Sequence, residues 1–398
     1  MTESQRSDAP RLDTLAVHAG RADLDSLGVH ALPLDLSTTN PVPSIEAGGA
    51  SYEHLATGKA FDDTTQSAVY QRLHNPTTAR YEQALAALEG ADAAIAFSSG
   101  MAAVTAAILA AAVGDTRHIV ALRPLYGGTD HILKTGLLGT TTTFVASVDE
   151  VAGAITDETC LVIAETPANP TVELVDLRAL VDAAGAVPVM VDNTFATPIL
   201  QQPLRFGVQI VMHSATKYIG GHGDVLGGII ACGEDWAQRI RSVRAITGAI
   251  SHPLSSYLAH RGIATLPLRI RQQQSNAQEV AAALQATDGV ERVLYPGLPE
   301  CDPQGLVGSQ MSGPGAMLAV DAGSFERAAH VAENVQLFTH AVSLGGVDSL
   351  IQHPASLTHR PVESSAKPGD GILRLSIGLE DPADLIADLR HALASAPA

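Results

Sequence analysis

The chain has 398 residues, 46% hydrophobic and 17% charged, with a formal net charge of −18. That length exceeds one ordinary core and predicts two domains, and the composition excludes a disordered chain. The acidic balance excludes nucleic acid, whose partners need basic surface. Residues 1–13 are polar, so no signal segment is expected. The longest apolar stretch, 101–113, is too short to span a bilayer and reads as a buried helix. Cys160, Cys232 and Cys301 have no metal-like spacing, and their odd, sparse number predicts a reducing cytoplasm.

Residues 1–75 read as an irregular arm, rich in Gly, Pro, Ser and Thr, of the kind that packs on a neighbouring subunit. Asn75-Pro76 is a turn signal. A helix is expected from about Thr78, capped by Thr77, with Tyr81, Leu85 and Leu88 on one face. Apolar runs then alternate with helical spacing. Strands are predicted at 93–97, 118–122, 142–145, 161–164, 187–191, 208–212 and 227–231, and an amphipathic helix at 177–184. This pattern predicts an α/β fold: a mostly parallel sheet over 76–255 with helices on both faces. From 256 to 398 a smaller α+β domain is expected. Its helical stretches are 255–271, 276–284, 325–335 and 384–393, and its strands are 290–295, 317–320 and 373–377. The polar segment 363–371 reads as a mobile loop.

Ligands of open parallel sheets bind beyond the carboxyl ends of the strands. Each polar motif of this chain stands there. The 93–97 run ends in Ser98-Ser99-Gly100-Met101, which opens a helix. The 118–122 run leads into Tyr126-Gly127-Gly128-Thr129. Glu165-Thr166-Pro167-Ala168-Asn169-Pro170 follows the 161–164 run, and Asp192-Asn193-Thr194-Phe195 the 187–191 run. His213-Ser214-Ala215-Thr216-Lys217 follows the 208–212 run. A lysine just past a buried strand is partly desolvated, which lowers its pKa and makes it a nucleophile. Ser214 and Thr216 beside it suit a phosphate. So do the free N–H groups of Gly100 and Met101 at a helix start. Together they describe a Schiff-base lysine beside a phosphate cup, the requirement of pyridoxal 5'-phosphate (PLP). Asp192 is then the partner of the ring nitrogen and Tyr126 the aromatic lid. Arg374, inside an apolar run, is the bidentate partner of a substrate carboxylate. Taken one at a time, these residues have plainer readings: a surface lysine, a turn cap, a rim tyrosine and an internal ion pair.

Ser214-Ala215-Thr216-Lys217 also matches the S-x-x-K motif of serine acyl-enzymes, and Lys134-Thr135-Gly136 supplies a K-T-G. The order is wrong, the motif follows a strand, and no Ser-Asp-Asn occurs. The glycine-rich 220–228 run lacks the Gly-Lys-Ser/Thr of a phosphate-binding P-loop. His353 and His359 have no carboxylates or thiols in ligand spacing, so no metal is expected.

The ordered motifs from about Tyr70 to Leu393 resemble the transsulfuration (Cys/Met metabolism) family of PLP enzymes. This group holds cystathionine γ-synthase, cystathionine γ-lyase and methionine γ-lyase. The likeness is carried by Tyr70-Gln71-Arg72 with Asn75-Pro76-Thr77, by the strand-end motifs above, and by Ser343-Leu344-Gly345-Gly346 and Leu373-Arg374-Leu375-Ser376. The resemblance implies a PLP-dependent transferase fold of aspartate-aminotransferase type and a homotetramer of two active dimers. It implies Lys217 as cofactor anchor and proton shuttle, Asp192 on the ring nitrogen, and Tyr126 stacked on the ring and acting as an acid. Ser99, Gly100, Met101, Ser214 and Thr216 would lie at the phosphate. Tyr70 and Arg72 would reach it from the neighbouring subunit, and Asn169 would sit near the phenolic oxygen. Ser343, Leu344 and Arg374, with Tyr70, would bind the substrate.

The reaction this implies is γ-elimination, or γ-replacement, on a homoserine- or methionine-like L-amino acid. Replacement on an O-acylhomoserine and elimination of a non-thiol leaving group are the alternatives. Val342 stands where cystathionine enzymes commonly carry Glu, and the surrounding 341–345 segment looks more like methionine γ-lyase. Gly128 and Arg244-Ala245, however, stand where that enzyme carries Cys and Lys-Asp.

Overall fold

A computed structural model of the chain describes residues 10–62, 64–360 and 368–397. Seven strands form the larger sheet: β1 Ala93–Phe97, β2 His118–Leu122, β3 Thr141–Val145, β4 Thr159–Glu165, β5 Val189–Asp192, β6 Ile210–Ser214 and β7 Gly228–Cys232. Their order is β1-β7-β6-β5-β4-β2-β3. The pairs β2–β3, β2–β4, β4–β5 and β5–β6 are parallel, and β7 runs antiparallel to both β1 and β6. The expected mostly parallel sheet is therefore present.

Its apolar runs are unbroken because both faces are covered. Ile95, Phe97, Ile163, Met190 and Ile230 pack under helices Gly100–Ala111 and Glu234–Thr247. Val120, Val162, Val191 and Val211 face helices Pro76–Glu89, Leu177–Ala184 and Leu266–Gln285. At the edge, β3 exposes alternate threonines.

Five strands form the second sheet in the order β10-β11-β12-β9-β8: β8 Arg292–Leu294, β9 Met317–Asp321, β10 Thr339–His340, β11 Leu350–Gln352 and β12 Ile372–Ser376. β10 and β11 are not anticipated by the sequence, since two or three residues show no periodicity. One buried cluster runs from Val211 and Tyr218 through Leu318, Leu373 and Leu385, so the two sheets share a continuous core.

Several expectations change. The arm is not irregular throughout: it carries helices Leu12–His18 and Ile45–Ala56, the latter capped by Ser44, which accepts from Ala47 N–H. Leu55 and Leu73 of the arm pack on Ala245 of the same chain. The helix after the arm begins at Pro76, and Asn75, not Thr77, caps it by accepting from Thr78 N–H. The stretches 255–271 and 276–284 resolve differently, into helices Pro253–Ile263 and Leu266–Gln285. Pro267 in the first turn of the second helix forces the restart, because proline cannot continue a preceding helix. Most of the loop expected at 363–371 lies outside the described residues.

Candidate active site

β4, β5 and β6 are neighbours, and their carboxyl ends deliver Glu165, Asp192 and Ser214 side by side. The register pairs Glu165 with Asp192 directly. A cavity of about 340 Å³ opens there. Its lining includes Ser99, Gly100, Met101, Tyr126, Asn169, Asp192, Ser214, Thr216, Lys217, Ser343, Leu344 and Arg374. Every site residue expected from the chain's own sheet and second domain is thus brought together. Tyr70 and Arg72 are not. Tyr70 is 43% exposed, Arg72 donates to the Ala245 carbonyl, and neither lines this cavity.

The floor is a helix start. Ser99 caps Gly100–Ala111 by accepting from Ala102 N–H, which leaves the N–H groups of Gly100 and Met101 without partners among the described residues. This is an anion site by construction. Gly228 lets the helix approach the sheet so closely. A Cβ there would lie 2.6 Å from the Ser99 carbonyl carbon and 2.8 Å from Gly100 Cα. The Ser214 hydroxyl faces Gly100. Thr216 differs from expectation in one respect: its hydroxyl already donates to the Gly227 carbonyl at 3.2 Å and accepts from Gly227 N–H at 3.1 Å.

Asp192 is held by Thr194, whose N–H and hydroxyl both donate to Oδ1, at 3.0 and 2.5 Å. The same hydroxyl accepts from Ser214 N–H at 2.8 Å, so Thr194 ties the carboxylate to the phosphate cup. Oδ2 makes no hydrogen bond among the described residues. Burial pushes the Asp192 carboxyl up, against the pull of Thr194, His213 and Lys217. A cation docked on Oδ2 would relieve that.

Lys217 Nζ donates to Ser343 Oγ at 2.8 Å. Burial first, then the Arg374 charge, lowers the amine to about 8, against the opposing pull of Asp192. Ser343 takes φ +90°, a conformation that side chains adopt only under constraint. Gly345 two residues on is obligatory: its φ is +75° and a Cβ would lie 2.7 Å from Tyr218 N.

Arg374 is 2% exposed. Nη1 donates to Asn169 Oδ1 at 3.0 Å, and Nη2 to the Ser343 carbonyl at 2.7 Å and to Gln352 Oε1. Nε is buried with no partner among the described residues. Arg374 lines the cavity wall, and a guanidinium there is a place for a carboxylate. Burial lowers Arg374 to about 10, so it stays cationic at neutral pH.

Glu165 and Thr194 enter the sequence reading only as parts of motifs. Both line the cavity. The signal for Glu165 is the one that singles out Asp192, a carboxylate closing a buried strand. Arg244, one of the noted departures, is spent on structure, donating to Glu82 at 2.5 Å and the Ala96 carbonyl at 3.0 Å. Among the described residues no group of His, Cys, Asp and Glu could hold a metal, and no helix is long and apolar enough to cross a membrane.

The donor set fits PLP: two free N–H groups and a hydroxyl for the phosphate, a free carboxylate oxygen for the ring nitrogen, an aromatic side, and a low-pKa lysine. The comparisons agree. A sequence profile described as "Cys/Met metabolism PLP-dependent enzyme" matches residues 13–394. An L-methionine gamma-lyase of Brevibacterium sandarakinum is 60% identical over 96% of this chain and 97% of its own. One from Streptomyces avermitilis is 50% identical over 96% of this chain and 89% of its own. Among solved structures, metB from Corynebacterium glutamicum superposes with a TM-score of 0.89 at 36% identity, covering 97% of this chain and 98% of that one. A "cystathione gamma lyase (CalE6)" from Micromonospora echinospora gives 0.86 at 36%, covering 97% and 100%.

Proposed function

The chain belongs to the Cys/Met metabolism family of PLP-dependent enzymes, and on that premise we propose that it eliminates the γ-substituent of L-methionine or of a similarly short, uncharged L-amino acid. One observation carries the choice of substrate. Val342 and Leu226, 55% and 63% exposed, line the cavity beside Phe195 and Leu344, while of the lining's carboxylates Glu165 is engaged by two backbone N–H groups and the open oxygen of Asp192 is taken by the ring nitrogen once the cofactor is bound. Among the described residues nothing else in that lining offers a distal ammonium a counter-charge. The names of the relatives at 60% and 50% identity support the same reading.

Bound here, PLP supplies an electron sink for the pair left when a proton leaves the substrate α-carbon. The protein's groups do the rest. Arg374, on the cavity wall, takes the substrate carboxylate. Lys217, lowered to about 8, has a neutral fraction at neutral pH that can accept the α-proton. Asp192 Oδ2 holds the ring-nitrogen proton. After giving up the first proton, the Lys217 amine takes a second from the β-carbon, and the Tyr126 phenol gives its proton to the departing γ-group. With one water consumed, the expected products from methionine are a thiol, ammonia and 2-oxobutanoate.

The test is a panel in deuterated water: methionine, cystathionine, homocysteine, O-acetyl- and O-succinyl-homoserine with and without added thiol, and γ-chlorinated amino acids. Methionine should be turned over fastest among the saturated substrates, giving 2-oxobutanoate deuterated at β and γ. Pyruvate from β-elimination, or a thiol adduct of O-acylhomoserine as the main product, would contradict the proposal.

We further propose that the site is shared between subunits of a homotetramer in the cytoplasm, a compartment that suits the three free cysteines. Tyr70 and Arg72 stand outside their own cavity, and Arg374, the one arginine lining it among the described residues, is assigned to the substrate carboxylate. Mixing inactive Lys217→Ala with inactive Arg72→Ala subunits should restore about a quarter of wild-type activity, since half of random dimers are mixed and each has one complete site. Verified heterodimers that stay inactive would rule out sharing.

A further inference from the structure

Glu165 closes β4 and is 5% exposed. Its two oxygens accept two backbone N–H groups from separate turns: Oε2 from Tyr126 at 2.6 Å, and Oε1 from Asn169 at 3.0 Å. Asn169 in turn accepts Arg374 Nη1 on its own Oδ1. A continuous chain of hydrogen bonds, buried except where it reaches Tyr126, therefore runs from Arg374 to the Tyr126 backbone. Glu165 also stands directly across from Asp192 in the β4–β5 register, and the Asp192 charge adds to the burden of its burial. A pair of N–H groups does not by itself require an acid there. Keeping a second buried carboxylate beside Asp192 is unfavourable unless its two-oxygen geometry is needed.

The geometry points to Glu165 as a positioning residue, a two-point clamp that fixes the Tyr126 ring and the Asn169 side chain relative to each other across the bound cofactor. Tyr126 has no side-chain cap of its own at the start of helix Gly127–Thr135. The backbone from which its ring projects is tied to Glu165. Against the other side the ring packs over Gly128, where a Cβ would lie 2.7 Å from Tyr126 Cε1. The clamp fixes the backbone that carries the ring, and the glycine gives the ring room to lie there.

The inference rests on the cofactor and not on which substrate is cleaved, so it is read first on holoenzyme without substrate. Glu165→Gln keeps the shape but offers one acceptor and one NH2 donor, so one of the two N–H groups loses its partner. The visible circular dichroism of bound PLP, which reports the asymmetry around its ring, should fall about two-fold or more. kcat/KM should fall about 10- to 100-fold, the loss of one charge-assisted hydrogen bond. In a double-mutant cycle, Tyr126→Ala should then cost about 5-fold less in the Glu165→Gln background than in wild type, because an unclamped ring contributes less. Unchanged dichroism with an additive cycle would overturn the proposal and leave Glu165 a purely structural acceptor. If Glu165→Gln does not fold, Glu165→Asp, which keeps the charge but draws it back by one methylene, goes through the same dichroism and cycle with the same two outcomes.

Discussion

Lys217→Ala is expected to lower kcat by about 10⁴-fold or more, the combined loss of the proton carrier and of the group that holds the cofactor in register. Among the described residues nothing else in the cavity can substitute. The other cation there, Arg374, keeps its proton at neutral pH and is already committed to Asn169, Ser343 and Gln352. The fold should survive. Removing the amine takes away one hydrogen bond to Ser343 and one desolvated charge. The pH dependence of that gain has a definite sign. Burial lowers Lys217 to about 8 from an ordinary 10.5, so the unfolded chain binds more protons between those values. The penalty is full below about pH 8 and fades as the pH rises toward 10.5. Cofactor-free Lys217→Ala should therefore be more stable than cofactor-free wild type at about pH 7, by something on the order of 1 kcal/mol, and the difference should shrink at about pH 10. Equal stability differences at both pH values would mean that the amine is not desolvated.

Arg374→Leu is expected to reduce kcat/KM by about 10²- to 10³-fold, the scale for losing a buried charge partner of a carboxylate. Arg374→Lys should recover little of it. An ammonium cannot serve Asn169, Ser343 and Gln352 and still present a donor to the substrate, because those contacts use the planar fork. The specific check is an amine analogue lacking the carboxylate. Wild type should discriminate strongly against it, and Arg374→Lys should discriminate far less. Equal discrimination by both would place the carboxylate elsewhere.

Much of this site is legible in the chain because parallel strands advertise themselves twice. Buried on both faces, they read as short apolar runs, and their carboxyl ends then carry polar residues that no core would tolerate. Asp192, Ser214 and Lys217 stand out for that reason. Glu165 gives the same signal, yet its partners are backbone N–H groups of Tyr126 and Asn169, and such partners leave no mark in the sequence. Thr194 is hidden likewise, since a threonine two residues past a strand reads as turn chemistry until Asp192 and Ser214 are seen on either side of it.

The arm is the least legible part. Helix Ile45–Ala56 carries Gly48 and Gly49, poor helix formers, and is secured instead by the Ser44 cap and by Leu55 packing near Ala245. Its neighbours in space lie far along the chain, beyond any local pattern. The Asn75 cap is a choice between nearby residues that can both cap, and Pro76 at the first helical turn decides it.

Borohydride reduction of the yellow holoenzyme, followed by peptide mapping, tests the central claim most directly. The account predicts a single modified peptide, with the cofactor fixed to Lys217. Label on Lys59, Lys134 or Lys367, or equal labelling in Lys217→Ala, would contradict it.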